Sequence, residues 1–180
     1  MRRFLALLFV PILLCSCIDR FINPISDPRM AQIDERLIGT WIVEVEKEKQ
    51  FLHIGKGEKN TMLFIEQSQK TPEQIEPIIM FISRVDDRTF LNYEIPHDLA
   101  SEYWGFLILE YEIENHVCLI IRQINWDFVR RAVEDKRLSG EIEEDHVFVL
   151  AKSSEVRSFI INSPKEELFY KESEYKRLNF

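Results

Sequence analysis

Glycine is scarce in this chain, with 5 residues among 180. Loops that bind phosphates or dinucleotides need several closely spaced glycines, and the sequence contains no such loop. It also contains no G-x-S-x-G nucleophile elbow, no H-E-x-x-H zinc motif and no histidine at a recognised metal-ligand spacing. We therefore predict no catalytic site, no cofactor and no metal centre.

Cysteine and positive charge are also in short supply. Two of the 3 cysteines are Cys15 and Cys17, so a chain that has lost or modified them cannot form an internal disulfide. The formal net charge is −8, and taking Arg2 and Arg3 from the 23 basic side chains leaves 21 against 31 acidic ones. Such a surface repels phosphate backbones, which argues against general nucleic-acid binding. It also argues against membrane binding through a cluster of basic residues.

One apolar run lies at the amino terminus. Arg2 and Arg3 precede the uncharged residues 4–14, a stretch too short to cross a bilayer, which takes about 20 residues. A basic start followed by a short apolar stretch is typical of a secretory signal peptide. The run ends in Leu14-Cys15-Ser16-Cys17.

These four residues resemble the lipobox of bacterial lipoproteins. The resemblance implies that residues 1–16 are a signal peptide, that the Cys17 thiol receives diacylglycerol, and that a fatty acid such as palmitate is added to the new amine. Ile18 follows the cysteine where an aspartate would favour the inner membrane, so we expect the periplasmic face of the outer membrane. The alternatives are an ordinary secretory signal cut nearby, or a cytosolic protein with an apolar start.

The rest of the chain is expected to contain a tether and one domain. Residues 17–33 carry the lipidated cysteine and two prolines but no sustained periodicity, so we predict a flexible tether that spans roughly 20–25 Å on average. Residues 34–180 are predicted to form a single globular domain, as their length allows one hydrophobic core.

Strand patterns dominate this domain. Alternating or continuous apolar residues predict strands at 40–47, 51–54, 61–67, 78–85, 89–95, 104–113, 116–124, 141–143, 146–151 and 175–179. Helices are predicted at 126–138, at 154–161 after the cap Ser153, and at 164–169 with Pro164 at the first helical position. The residues at 104–124 are apolar on nearly both faces, which indicates strands covered on both sides. We predict a mainly β (α+β) fold, an antiparallel barrel or strongly curved sheet of about eight strands, with two or three short helices in the C-terminal third.

Gly39-Thr40-Trp41, at the start of the first predicted strand, resembles the G-x-W motif of lipocalins and lipocalin-like lipoproteins. The resemblance implies that Trp41 closes the barrel floor and that an arginine of the last strand stacks on it. Arg177 matches that arginine in chain order, and a cation–aromatic contact is physically favourable. The alternative is another antiparallel α+β sheet in which Trp41 is an ordinary core residue.

A candidate ligand cavity follows from one acidic residue in an apolar strand. Glu110 lies within the predicted strand at 104–113, and a carboxylate that points into a barrel is unfavourable to bury without partners. If it points inward, we expect Trp41, Trp104, Phe106 and Glu110 to line a cavity for a small apolar ligand. The alternative is that Glu110 lies at the solvated end of its strand.

Together these patterns predict a lipid-anchored protein of the bacterial envelope without catalytic activity. The first hypothesis is a binding or interaction module that holds a small apolar ligand or an envelope protein. The second is a structural or assembly factor without a ligand cavity, and the third is an envelope hydrolase whose site is assembled from scattered residues.

The lipid anchor is tested by Cys17→Ser, because a hydroxyl does not replace the thiolate nucleophile. We expect the variant to persist as an uncleaved precursor that incorporates no labelled palmitate in its host. Mass spectrometry of the membrane fraction measures both. Normal maturation of the variant would show that Cys17 is not the attachment site.

Overall fold

A computed structural model describes residues 19–45, 47–68, 77–95 and 104–178, with Lys171 described by its backbone alone. The signal peptide and Cys17 lie outside these ranges. The strands are β1 (Arg20–Phe21), β2 (Gly39–Val45), β3 (Glu48–Lys56), β4 (Met62–Ser68), β5 (Ile78–Val85), β6 (Arg88–Glu94), β7 (Phe106–Glu114), β8 (Cys118–Ile124), β9 (Gly140–Glu143), β10 (His146–Val149) and β11 (Phe169–Arg177). The helices are α1 (Trp126–Glu134), α2 (Ser153–Asn162), α3 (Lys165–Leu168) and a single 3-10 turn at Pro28–Met30.

Eight strands form a closed antiparallel barrel. Strands β2 to β8 pair in sequence order, and β11 pairs with both β8 and β2 to complete the ring. All three α-helices lie between β8 and β11, in the C-terminal third. The prediction of a mainly β, lipocalin-like barrel with late helices is confirmed.

The inner face of the barrel carries an apolar core because successive strand residues point to opposite sides. Its fully or largely buried members are Leu37, Trp41, Leu52, Ile54, Met62, Met80, Ile82, Leu91, Tyr111, Leu119, Ile121 and Tyr175. Trp41 and Val43 of β2 share this face, as their alternation predicted.

A second apolar core lies outside the barrel wall. Strands β1, β9 and β10 extend the sheet beyond β7, and with α1 and α2 they cover the outer face of β5 to β8. The wall contributes Val85, Phe90, Ile108 and Ile124 to this core. Strands β7 and β8 are therefore buried on both faces, which confirms the expectation from their apolar sequence.

Several element ends differ from prediction because of local backbone geometry. Strand β8 begins at Cys118, since Asn115 and His116 have positive φ values of 50° and 61° and form the turn from β7. Helix α1 ends at Glu134 and is followed by Lys136 at φ 59°. Strand β11 begins at residue 169, six residues earlier than predicted, because its charged outer face hides the alternation.

The predicted tether is wrong for the residues that the structure describes. Phe21 and Ile25 are 0% and 2% exposed within the outer core, and β1 pairs with both β7 and β10. The Ile25 amide donates to Asn92 Oδ1 at 3.0 Å, and Val147 N donates to Asp19 Oδ1 at 2.6 Å. Single side chains and isolated hydrogen bonds hold this segment, so it shows no periodicity in sequence.

No helix among the described residues has both the length and the apolar character needed to cross a bilayer.

The docked N-terminal segment is tested by Phe21→Ala. Removing a fully buried phenyl ring should lower the free energy of unfolding by about 3–5 kcal/mol, as measured by chemical denaturation of the mature protein. Met30→Ala in the same segment is the control, because Met30 is 77% exposed and its loss should change stability by less than about 0.5 kcal/mol. If both substitutions change the free energy of unfolding by the same small amount, the segment is a flexible tether, as the sequence predicted.

Candidate ligand site inside the barrel

Trp41 closes one end of the barrel. Its side chain is fully buried, and its Nε1 donates a hydrogen bond to the Leu37 carbonyl at 2.8 Å. The Arg177 guanidinium lies 5.2 Å from the Trp41 ring centre, and its Nη2 donates to the Ile38 carbonyl at 2.6 Å. Gly39 has φ 140°, where a side chain is strained, and a Cβ there would lie 3.3 Å from Arg177 Nη2. The predicted stacking of Arg177 on Trp41 is confirmed.

Polar bonds complete this closed end. The Tyr111 hydroxyl donates to Asp34 Oδ2 at 3.0 Å, and Arg36 pairs with the same carboxylate at 2.6 Å. Burial alone raises the pKa of Asp34, but the hydrogen bonds from Arg36 and Tyr111 outweigh it and hold the pKa below its usual value. Asp34 is therefore a paired, structural carboxylate.

The four residues predicted to line a cavity do not meet. Trp41 belongs to the inner core, whereas Phe106 and Glu110 share the outer face of β7 with Ile108. Trp104 is 39% exposed and packs edge-on against Phe106 with ring centres 4.9 Å apart. The prediction failed because the alternation of strand residues shows only which of them share a face. Since β7 is apolar on both faces, its sequence does not show which face points into the barrel.

Glu110 is instead a buried structural carboxylate on the outer side of the wall. It is 2% exposed and lies 2.7 Å from Arg88 Nε, 3.4 Å from Arg122 Nη1 and 3.4 Å from Lys165 Nζ. Arg88 also donates to the Ile160 carbonyl of α2 at 3.2 Å. This network attaches α2 and α3 to the barrel wall.

A different set of polar side chains lies inside the barrel. Met62 and Phe64 of β4 contact the inner core, so Glu66, two residues further on, points to the same side. Tyr93 follows Leu91 by the same step on β6, and Tyr175 of β11 belongs to the inner core itself. We call Glu66, Tyr93 and Tyr175 the interior trio.

The interior trio has no polar partner among the described residues. Tyr93 and Tyr175 are only 7% and 8% exposed, yet neither hydroxyl makes a hydrogen bond to the described part of the chain. The Glu66 carboxylate likewise has no hydrogen bond or ion pair there. Glu66 is partly exposed, so the three groups remain available to a molecule that enters the barrel.

The ionisation of the trio reflects its surroundings. Burial raises the pKa of the Glu66 carboxyl. Burial also raises the pKa of the Tyr93 and Tyr175 hydroxyls, and the charge of Glu66 raises both further. The three groups are therefore close enough to interact electrostatically within a weakly solvated space.

Three apolar side chains on the inner face of the barrel remain partly exposed. Val43, Phe64 and Leu109 contact the inner core but remain partly exposed. Since these side chains point inward, the space that they face is part of the barrel interior. The Phe64 and Tyr93 rings meet edge to face with centres 6.4 Å apart, which fixes one aromatic wall of this space.

The trio is suited to binding rather than to holding a metal. Among the described residues, no group of three or more His, Cys, Asp or Glu side chains is placed to hold a metal ion. One carboxylate and two phenols can accept and donate hydrogen bonds and can balance one positive charge. Our sequence reasoning missed the trio, although the alternation Met62, Phe64, Glu66 carried the signal for the carboxylate.

The chain matches no protein-family model, and neither the curated proteins nor the solved structures gave a match. Its function is therefore argued from the geometry of the site.

The buried, unpaired state of Glu66 is tested by Glu66→Gln. Because the folded-state pKa of Glu66 is raised, the wild type should lose stability as pH rises from the ordinary value of 4.5 through the folded value. The variant lacks the charge and should be more stable than the wild type by about 1 kcal/mol at pH 8. The difference should shrink towards pH 4.5, as measured by urea denaturation across this range.

Glu44→Gln is the matched control, because Glu44 is exposed on β2. It should leave the pH dependence of unfolding unchanged. If the free energy of unfolding of Glu66→Gln differs from that of the wild type by the same amount at every pH, Glu66 is well solvated or already paired.

Proposed function

We propose that this protein is a lipid-anchored, non-catalytic module of the bacterial envelope that binds a small ligand inside its barrel. The single observation that carries the proposal is the interior trio, whose polar groups face the barrel interior and have no partner among the described residues. Glu66 is partly exposed, so its carboxylate can be reached from the partly open interior. A ligand that enters this space can pair with all three groups at once, because none of them is engaged by another described side chain.

The barrel wall around the trio supports such a role. The inner core and the Trp41–Arg177 contact close one end, and the outer core packs behind β5 to β8, which include the strand that carries Tyr93. A wall that is packed on both faces holds its inward side chains in fixed positions. Preformed sites bind well because little conformational freedom is lost on association.

The proposed anchor places the barrel at the membrane surface. Only Ile18 separates Cys17 from Asp19, which is hydrogen-bonded to β10 through Val147. Two extended residues reach at most about 7 Å, so acyl chains on Cys17 would hold the domain against the bilayer instead of on a long tether. We propose the periplasmic face of the outer membrane, and the acidic net charge supports a partner other than nucleic acid.

A structural or assembly factor is the second candidate, and one feature favours it. Ile79 is 45% exposed and Trp104 39% exposed, and Trp104 packs on Phe106 at the end of β7. A protein partner that covers these side chains would bury their apolar surface, which is favourable. This candidate predicts a protein partner instead of a small ligand.

Native mass spectrometry of the mature protein, purified from its host in a non-ionic detergent, tests the proposal. We expect a reproducible additional mass of small-molecule size. Val43→Phe should abolish this mass, because it adds a ring to the partly open interior, whereas Ile42→Phe changes the neighbouring side chain on the opposite face of β2.

Both variants must first show wild-type stability in a thermal melt. A small mass that is lost in Val43→Phe and kept in Ile42→Phe supports ligand binding in the barrel. An empty protein, or a mass retained by both variants, contradicts it. A co-purifying protein instead of a small molecule favours the assembly factor.

A further inference from the structure

We propose that the ligand carries a protonated amine, which Glu66 binds as its counter-charge while Phe64, Tyr93 and Tyr175 surround it. The inference rests on the proposed binding function and adds the chemical class of the ligand. It predicts an organic ammonium group attached to an apolar body.

The pairing of the carboxylates that face the protein interior points to a missing cation at Glu66, which is partly exposed there. Asp34 is buried and pairs with Arg36, and Glu110 is buried among Arg88, Arg122 and Lys165. The fold thus supplies a cation to each of its two most deeply buried carboxylates. Glu66 also faces the protein interior, but no described residue provides it with a positive charge. A carboxylate in a weakly solvated site is greatly stabilised by a paired cation.

The aromatic side chains around Glu66 suit an ammonium group. Ring faces carry negative electrostatic potential and attract cations. Phe64 and Tyr93 present two rings at nearly a right angle, with an interplanar angle of 78°. The Tyr93 and Tyr175 oxygens can also accept hydrogen bonds from an ammonium N–H, and neither is otherwise engaged within the described chain.

Other ligand classes fit the same space less well. A carboxylate or phosphate would be repelled by Glu66 and would meet no neutralising cation among the described residues. A purely apolar ligand would cover the three polar groups without pairing with them, which is unfavourable. The apolar side chains of Val43 and Leu109 beside the trio provide contacts for the body of the ligand instead.

Three small probes that share one aromatic body test the inference. Phenethylamine is a cation at pH 7.5, 2-phenylethanol is neutral and 3-phenylpropionate is an anion. Isothermal titration into the mature protein in a non-ionic detergent should show that the amine binds about tenfold or more tightly than the alcohol. The anion should bind most weakly.

Glu66→Gln separates the ion pair from the cavity. It should weaken phenethylamine binding by about tenfold while leaving the affinity for 2-phenylethanol nearly unchanged, because it keeps the size of the side chain and removes its charge. Glu44→Gln, on the exposed part of β2, should change neither affinity. The preference among probes in the wild type needs no variant, so the test holds even if Glu66→Gln is poorly folded.

The outcomes separate this inference from the proposed function. If the alcohol binds as tightly as the amine, or if Glu66→Gln keeps the preference for the amine, the amine class is wrong although the barrel still binds ligands. If the amine does not bind at all, the inference is overturned whatever the native mass shows. If no probe binds and the native protein also carries no additional small mass, the proposed binding function is wrong as well.

Discussion

The pairing of β11 with β2 and β8 is the constraint on which the rest of the structure depends. It brings the last strand of the chain beside the first strand of the barrel and leaves the ring without a free edge. The same pairing places Arg177 against Trp41, so the strand that completes the ring also closes one end of the barrel. Since α1, α2 and α3 lie between β8 and β11 in sequence, the pairing of these two strands brings the ends of the helical segment together on the barrel wall.

The consequence of this closure is a wall with two different cores. The inner core fills the barrel beside Trp41, and the outer core binds β5 to β8 to the helices and to the N-terminal segment. Most large apolar side chains serve one of these cores. The interior trio lies beside Val43, Phe64 and Leu109, which remain partly exposed, and this is the space in which we propose that a ligand binds.

Three carboxylates show how the same chemical group takes different roles in one fold. Asp34 and Glu110 are paired with arginines and stabilise the closed end and the outer layer. Glu66 has no such partner among the residues that the structure describes, and burial raises its pKa. A paired buried carboxylate is structural, whereas an unpaired one in a partly open space is a candidate for recognition. The difference lies in the neighbours and not in the strand that carries the residue.

The N-terminal segment connects this site to the proposed anchor. Phe21 and Ile25 insert into the outer core, and Asp19 bonds to β10. A lipid on Cys17 would therefore be joined to the barrel wall itself. The orientation of the domain on the membrane would follow from the fold, since no long flexible stretch intervenes among the described residues.

The sequence by itself determined the class of fold, the positions of most strands and the order of the helices, because alternation and capping are local properties of the chain. It also indicated the contact between Trp41 and Arg177 through a resemblance that rests on Gly39-Thr40-Trp41 and Arg177 alone. Only the tertiary structure decided that Glu110 faces outward into a network of cations and that Glu66 faces inward without one. It likewise decided that residues 19–33 pack onto the barrel. Strand periodicity predicts which residues share one face of a strand. Which of the two faces becomes the barrel interior depends on the distant segments that cover the opposite face.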